Sequence, residues 1–193
     1  MTMRAMANTD QLTPDPGRGE LLPRCAESLE RLFTIYYDRI FAFCVHRLFC
    51  RDAAEEVTSQ VFLTVARKFN TFRGETDEAF AGWVYAIAVN HCRSWRRKTK
   101  RQKILFEQFQ AERPHCVSGE VRGTSDWSRL YTAIASLQET EQTVITLRYF
   151  ESMSYEQIAV ITGKRINAVR VNLHRGLRKL QTRLGSDFFG VDR

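Results

Sequence analysis

The chain has 193 residues, 44% of them hydrophobic, with 29 basic and 22 acidic side chains and a formal net charge of +7. That length fits one or two small domains with packed cores, and 4 Pro, 10 Gly and little strand-like alternation point to an all-helical fold. The longest uncharged apolar run, AFAGWVYAIAV at 79–89, is too short to span a bilayer, and the polar N-terminus holds no signal-peptide core, so the expectation is a cytoplasmic protein without membrane insertion.

Residues 1–28 read as a disordered tail. A three-helix domain is expected over 29–102. Leu29, Leu32, Phe33, Tyr36, Ile40, Phe43 and Cys44 recur at helical spacing until a break near Cys50–Asp52. Val57, Val61, Phe62, Val65 and Phe69 mark a second amphipathic helix, and NTFRGETDE at 70–78 a loop. A third helix turns Phe80, Trp83, Val84, Ile87 and Ala88 inward and then becomes strongly basic. Residues 103–125 lose the periodicity, gain Pro114, Gly119 and Gly123, and read as a linker whose first part extends a helix.

A second domain is expected over 126–185. Trp127, Leu130, Tyr131, Ile134 and Leu137 form its first stripe, and a helix over 139–150 buries Val144, Ile145 and Leu147. Ser154 with Gln157 matches a capping box, so a short helix should start at Tyr155. Gly163 marks a turn, and a long helix follows with Ile166, Val169, Leu173, Leu177, Leu180 and Leu184 on one stripe. The end, 186–193, is a tail whose two phenylalanines either pack back onto this domain or meet a regulator.

The basic residues are not spread evenly. RSWRRKTKRQK at 93–103 and KRINAVRVNLHRGLRKLQTR at 164–183 hold seven each and no acid, while the rest of the chain is net acidic. Such clustering is the electrostatic footprint of a phosphate-backbone binder. The second patch lies in a helix-turn-helix pattern, a short capped helix followed by a basic amphipathic one. An ordinary helical hairpin with a solvated face is the alternative, but surface helices usually mix signs.

With Leu173 at the centre of the buried stripe, the opposite face holds Asn167, Ala168, Val171, Arg175 and Arg178, flanked by Arg170, Asn172 and His174. Arg pairs bidentately with guanine and Asn with adenine. Val171 is either a contact to a thymine methyl or a stray surface valine. Arg178, Lys179 and Arg183 lie further along and suit phosphates. In the first patch, basic residues interleave with aromatics, a pattern that tracks single strands. Trp95 either packs or stacks, and Asn90 and His91 either read bases or are simply solvated. The five cysteines, Cys25, Cys44, Cys50, Cys92 and Cys116, match no zinc spacing and are expected as reduced thiols, with Cys44 and Cys92 in the core. No metal, cofactor or catalytic constellation is expected.

Three segments now stand together in order: DAAEEVTSQVFLTVARKF, FRGETDEAFAGWVYAIAVNHCRSWRRK and LRYFESMSYEQIAVITGKRINAVRVNLHRGLRKL. They resemble the extracytoplasmic-function sigma factors of bacterial RNA polymerase, over about 29–184. The resemblance implies a region-2 domain, a linker and a region-4 domain. It implies a non-enzymatic chain that binds core RNA polymerase, directs it to promoter DNA and helps open the −10 element. An anti-sigma factor is a further implied partner.

By position, Glu55, Glu56, Val57, Gln60 and Phe62 match the segment that docks on the polymerase clamp, with Ser59-Gln60 where the family usually has Gln-Glu. Asn90 matches the pocket for a flipped −10 base, and Phe72 lies in the neighbouring loop. Arg93, Arg96, Arg97 and Lys98 match the basic end of the −10 helix. Arg170, Val171 and Arg175 match positions facing the −35 element. Arg165 stands where the family often has Ser or Pro, which predicts a last helix without a side-chain N-cap.

Two other readings compete. A stand-alone helix-turn-helix repressor or activator leaves 55–69 and the first basic patch without a role. An enzyme carrying a helix-turn-helix, such as a serine recombinase, needs an α/β domain that the pattern does not supply.

Overall fold

The computed structural model describes residues 26–74, 76–108 and 125–185, and among them it contains helices and no strand. Most of the expected tails and linker, with Cys25 and Cys116, lie outside the described residues; α1 already begins at Ala26, inside the tail expected over 1–28. The first group comprises α1 (Ala26–Leu48), α2 (Arg51–Lys68) and α3 (Asp77–Gln108). The second comprises α4 (Ser125–Ala135), α5 (Glu139–Ile145), α6 (Tyr155–Thr162) and α7 (Ile166–Leu184).

Helical periodicity places the first core. Ile40, Phe43 and Cys44 of α1, Val57, Val61 and Val65 of α2, and Val84, Tyr85 and Ala88 of α3 are all buried. Each large apolar side chain removed from water contributes ~1.5–3 kcal/mol, which outweighs the helix propensities of these β-branched and aromatic residues. Phe33 departs from its expected inward place: it is exposed and lies edge-on to Phe62 at 4.7 Å, covering the α1–α2 seam from outside. Trp83 is half-buried rather than central, tilted against Phe72 at 5.0 Å and Phe80 at 5.7 Å. Ile166 and Leu177 are likewise less buried than the stripe implies.

In the second group, the capping box forms as its sequence requires. Ser154 Oγ accepts from the Gln157 backbone N–H at 3.2 Å, and Gln157 Oε1 accepts from the Ser154 N–H at 2.8 Å. Gly163 ends α6 in the left-handed region at φ 65°, where a β-carbon is unfavourable. Arg165 starts α7 with no side-chain cap, as expected. The helix expected over 139–150 divides: its α-helical part stops at Ile145, and Thr146–Phe150 is one π turn. Thr146 Oγ1 donates back to the Gln142 carbonyl at 2.9 Å inside this segment, a local bond that competes with the regular ladder.

The two groups are docked, α3 against α6 and α1 against the π turn. His46 of α1 lies against Phe150 at 4.3 Å between ring centroids, and its Nδ1 is 3.1 Å from Tyr131 Oη. Burial lowers the His46 pKa to about 4. The undocked ring has the ordinary value near 6.5 and binds a proton more readily. Its support for docking is therefore full above that value and is lost as pH falls toward 4. Glu151, whose carboxyl burial raises, acts in the opposite sense, so bulk stability mixes the two. A ring-proton NMR titration resolves them: His46 should titrate near pH 4. A midpoint at the ordinary histidine value would mean that the ring is in water and the groups are apart.

Candidate nucleic-acid interface

The outward face of α7 matches the helical-wheel expectation. Asn167, Arg170, Val171, His174, Arg175 and Arg178 are exposed, while Val169, Leu173, Leu180 and Leu184 are buried. Val171 is 47% exposed, so no core accounts for it. Arg170 is not a free arm: its guanidinium stacks over the Tyr155 ring at 5.4 Å, which orients it before any ligand arrives. Asn172 is half-buried and donates through Nδ2 to the Ala168 carbonyl at 2.7 Å, which ties its side chain to its own helix. Arg165 is exposed at the helix start.

Lys179 departs from the expected phosphate role. Its Nζ reaches both oxygens of Glu141 at 2.7 and 2.9 Å, and Glu141 is 2% exposed. A carboxylate this buried requires a partner, so Lys179 clamps α7 to α5. Sequence spacing gives no sign of this pairing across 38 residues.

On α3, Asn90, Arg97 and Lys98 are exposed, and Phe72 is half-buried beside Phe80 and Trp83. His91 is half-buried, 3.0 Å from Thr64 Oγ1, and burial followed by the charge of Lys68 holds its ring below the ordinary range. Trp95, left open between packing and stacking, packs against the core. Arg93 and Arg96 are engaged within the protein. Arg93 Nε donates to Glu139 Oε1 at 2.6 Å, and Arg96 Nη1 donates to Gln142 Oε1.

The α2 segment divides cleanly. Glu55, Glu56 and Gln60 are exposed, with Gln60 Nε2 donating to Glu56 Oε1 at 3.2 Å. Val57 and Phe62 are buried, at 0% and 8% exposure, and hold α2 to its neighbours instead of facing a partner. Leu63, which periodicity alone had not singled out, is 56% exposed on the outward face. It stands two residues from the inward Val61 and Val65, and a helical wheel of α2 puts it outside.

Cys44 and Cys92 are both buried, as expected, with their sulfurs 3.8 Å apart. Among the described residues no group of three His, Cys, Asp or Glu side chains could hold a metal ion, and no helix is long and apolar enough to cross a membrane.

Two family models match the chain. One described as Sigma-70 region 2 covers residues 32–102, and one described as Sigma-70, region 4 covers residues 127–180. The chain is 26% identical over 167 residues to the ECF RNA polymerase sigma factor BldN of Streptomyces coelicolor, a match covering 84% of this chain and 62% of BldN. It is 29% identical over 162 residues to the ECF RNA polymerase sigma-E factor of Haemophilus influenzae, covering 77% of this chain and 83% of that protein. Its fold is similar to that of sigma factor RpoE, solved in complex with the anti-sigma factor NepR from Bartonella quintana. That likeness has a TM-score of 0.67 at 20% identity, over 87% of this chain and 100% of RpoE.

Proposed function

The chain belongs to the sigma-70 family, in its extracytoplasmic-function branch, and on that footing we propose that it binds core RNA polymerase, selects promoters through two DNA contacts and helps melt the −10 element. The observation that carries this is the pairing of a region-2 match at 32–102 with a region-4 match at 127–180 in one chain. A stand-alone helix-turn-helix regulator leaves the first of these domains without a role.

The pattern of exposed side chains supports a division of labour. The exposed basic face of α7 suits duplex major groove, with Arg170, Val171 and Arg175 toward base edges and Arg178 toward phosphate. The end of α3 suits a separating strand, with Asn90 beside the captured base and Arg97 and Lys98 on the backbone. Capturing an extruded base lowers the cost of unstacking, so the chain itself needs no bond-making chemistry. Glu55, Glu56, Gln60 and Leu63 form the α2 face toward polymerase. The stretch between Gln108 and Ser125 spans at most about 55 Å if extended, enough for two sites on one duplex. The chain acts in the cytoplasm, and an anti-sigma protein is an expected partner, as in the complex of RpoE with the anti-sigma factor NepR.

Retention of core polymerase on the immobilised chain at low salt tests the assignment. The stand-alone regulator predicts no retention. Within the complex, Asn90→Ala should slow open-complex formation while leaving polymerase retention intact; equal loss of both would make Asn90 structural. Arg175→Ala should lower discrimination at one −35 position by about 1–3 kcal/mol, read as competition between promoter variants. Unchanged selectivity would remove Arg175 from the reading face.

A further inference from the structure

Two guanidinium groups lie over one aromatic ring in the second domain. Arg148, from the π turn, has its Cζ 5.1 Å from the centroid of the Tyr155 ring. Arg170, from α7, has its Cζ 5.4 Å from the same centroid. Three elements therefore meet at the first residue of α6. The ring is half-buried, whereas Arg170 is exposed. A cation over an aromatic face is attracted by the ring quadrupole, more so where water is partly excluded.

Each part of this stack is fixed from behind. Tyr155 directly follows the N-cap of the Ser154–Gln157 capping box, which sets the start of α6. Arg148 Nη1 donates to the Met153 carbonyl at 2.7 Å, so that guanidinium is part of the scaffold. Behind Gly163, the Lys164 N–H donates to the Ala159 carbonyl at 3.0 Å and closes the turn that brings α7 back to α6. Glu156 is a weaker second hold on Arg170. It is fully exposed, and its carboxyl is held below the usual range chiefly by backbone and Ser154 hydrogen bonds, with the charges of Arg170 and Arg148 contributing less.

The structure assigns Tyr155 a part in promoter selection: it is a positioning residue that holds the Arg170 guanidinium ready for one base edge of the −35 element. This rests on the reading of α7 as the −35 face. The planar fork of arginine pairs bidentately with guanine in one orientation only, and an unsupported side chain gives up rotamer freedom to reach it. The stack removes part of that freedom before DNA arrives, so more of the bond to the correct base appears as discrimination. Arg175 supplies the internal comparison. It is exposed on the same face and has no ring contact among the described residues. The first helix of the helix-turn-helix thus acts on one position of the sequence through the second, without itself reading a base.

The test uses holoenzyme assembled from core polymerase and the full chain, competed over promoter duplexes randomised in the upstream element. Arg170→Ala and Arg175→Ala identify the position that each arginine reads. Tyr155→Leu should lower preference at the Arg170 position on the order of fivefold and leave the Arg175 position unchanged. Tyr155→Phe, which keeps the ring, should retain the wild-type preference. Tyr155→Leu should cost nothing further in the Arg170→Ala background. Equal loss at both positions would make Tyr155 merely structural, and unchanged preference would remove it from selection. A sharper preference would mean that the ring competes with the base for Arg170, and overturns the assignment as well. If the leucine variant lacks wild-type helicity by circular dichroism, Tyr155→Met, unbranched and without a ring, carries the same comparison. A wild-type holoenzyme without any upstream preference would instead overturn the reading of α7 itself, and this inference with it.

Discussion

Replacing Arg47 with methionine should make this protein more stable. The side chain is 0% exposed, and its Nε, Nη1 and Nη2 have no hydrogen-bond partner. Burial lowers its pKa to about 10, so it still carries its charge at neutral pH. An unpaired buried cation is among the most costly arrangements a core can hold: even buried ion pairs, which recover some Coulombic energy, can gain about 1–4 kcal/mol when apolar side chains of similar volume replace them. For a chain of this size a gain of ~2 kcal/mol corresponds to a Tm rise of roughly 4–8 °C. Arg47→Ala should gain less or nothing, because truncation leaves a cavity. The contrast between the two variants, read by thermal melts at neutral pH, separates a desolvation cost from a packing change. A lower Tm for Arg47→Met would mean that the guanidinium is satisfied in solution.

The second large effect is expected at Gly176. A β-carbon there would lie 2.6 Å from Ile145 Cδ1 and 3.4 Å from Glu141 Cβ, so α7 and α5 approach through the missing side chain. Alanine asks only the flexible end of Ile145 to turn, and it gains helix propensity of about 1 kcal/mol over glycine. Gly176→Ala should therefore be near neutral. Gly176→Val is branched at the contact and forces the helices apart, at a cost of about 1–3 kcal/mol. Separation would also strain the nearby Lys179–Glu141 pair, whose carboxylate is buried. Urea titration should show the second domain melting early in the valine variant, with −35 binding lost alongside. Equal midpoints for the valine variant and wild type would show that the helices have room to move.

What was legible in the sequence was the part governed by local rules. The Ser154–Gln157 cap, the Gly163 turn and the stripe from Val169 to Leu184 each follow from residues a few positions apart. The exposure of Val171 followed from the same wheel. Local pattern could not reach the pairings across the fold. Arg93 with Glu139 and Arg96 with Gln142 are each 46 residues apart, and Tyr85 with Glu151 is 66 apart. An acid-free basic run says that charge is concentrated, but not that a carboxylate from another domain meets it. The same limit explains Lys179, which spacing places among phosphate contacts and folding turns into a clamp. Val57 and Phe62 show a different limit. Positional similarity carried them over with their segment, whereas burial divides that segment into a core face and an outward face.

The central claim is that this chain turns core polymerase into a promoter-specific enzyme through two separate DNA contacts. Run-off transcription from a genomic fragment pool, with core polymerase and the purified chain, measures that claim directly. Discrete start sites should appear only when the chain is present, and their upstream sequences should share two elements separated by a constant spacer. Arg175→Ala should change preference at the upstream element, and Asn90→Ala should reduce initiation at all sites. Core polymerase that neither binds the chain at low salt nor initiates discretely in its presence would contradict the account.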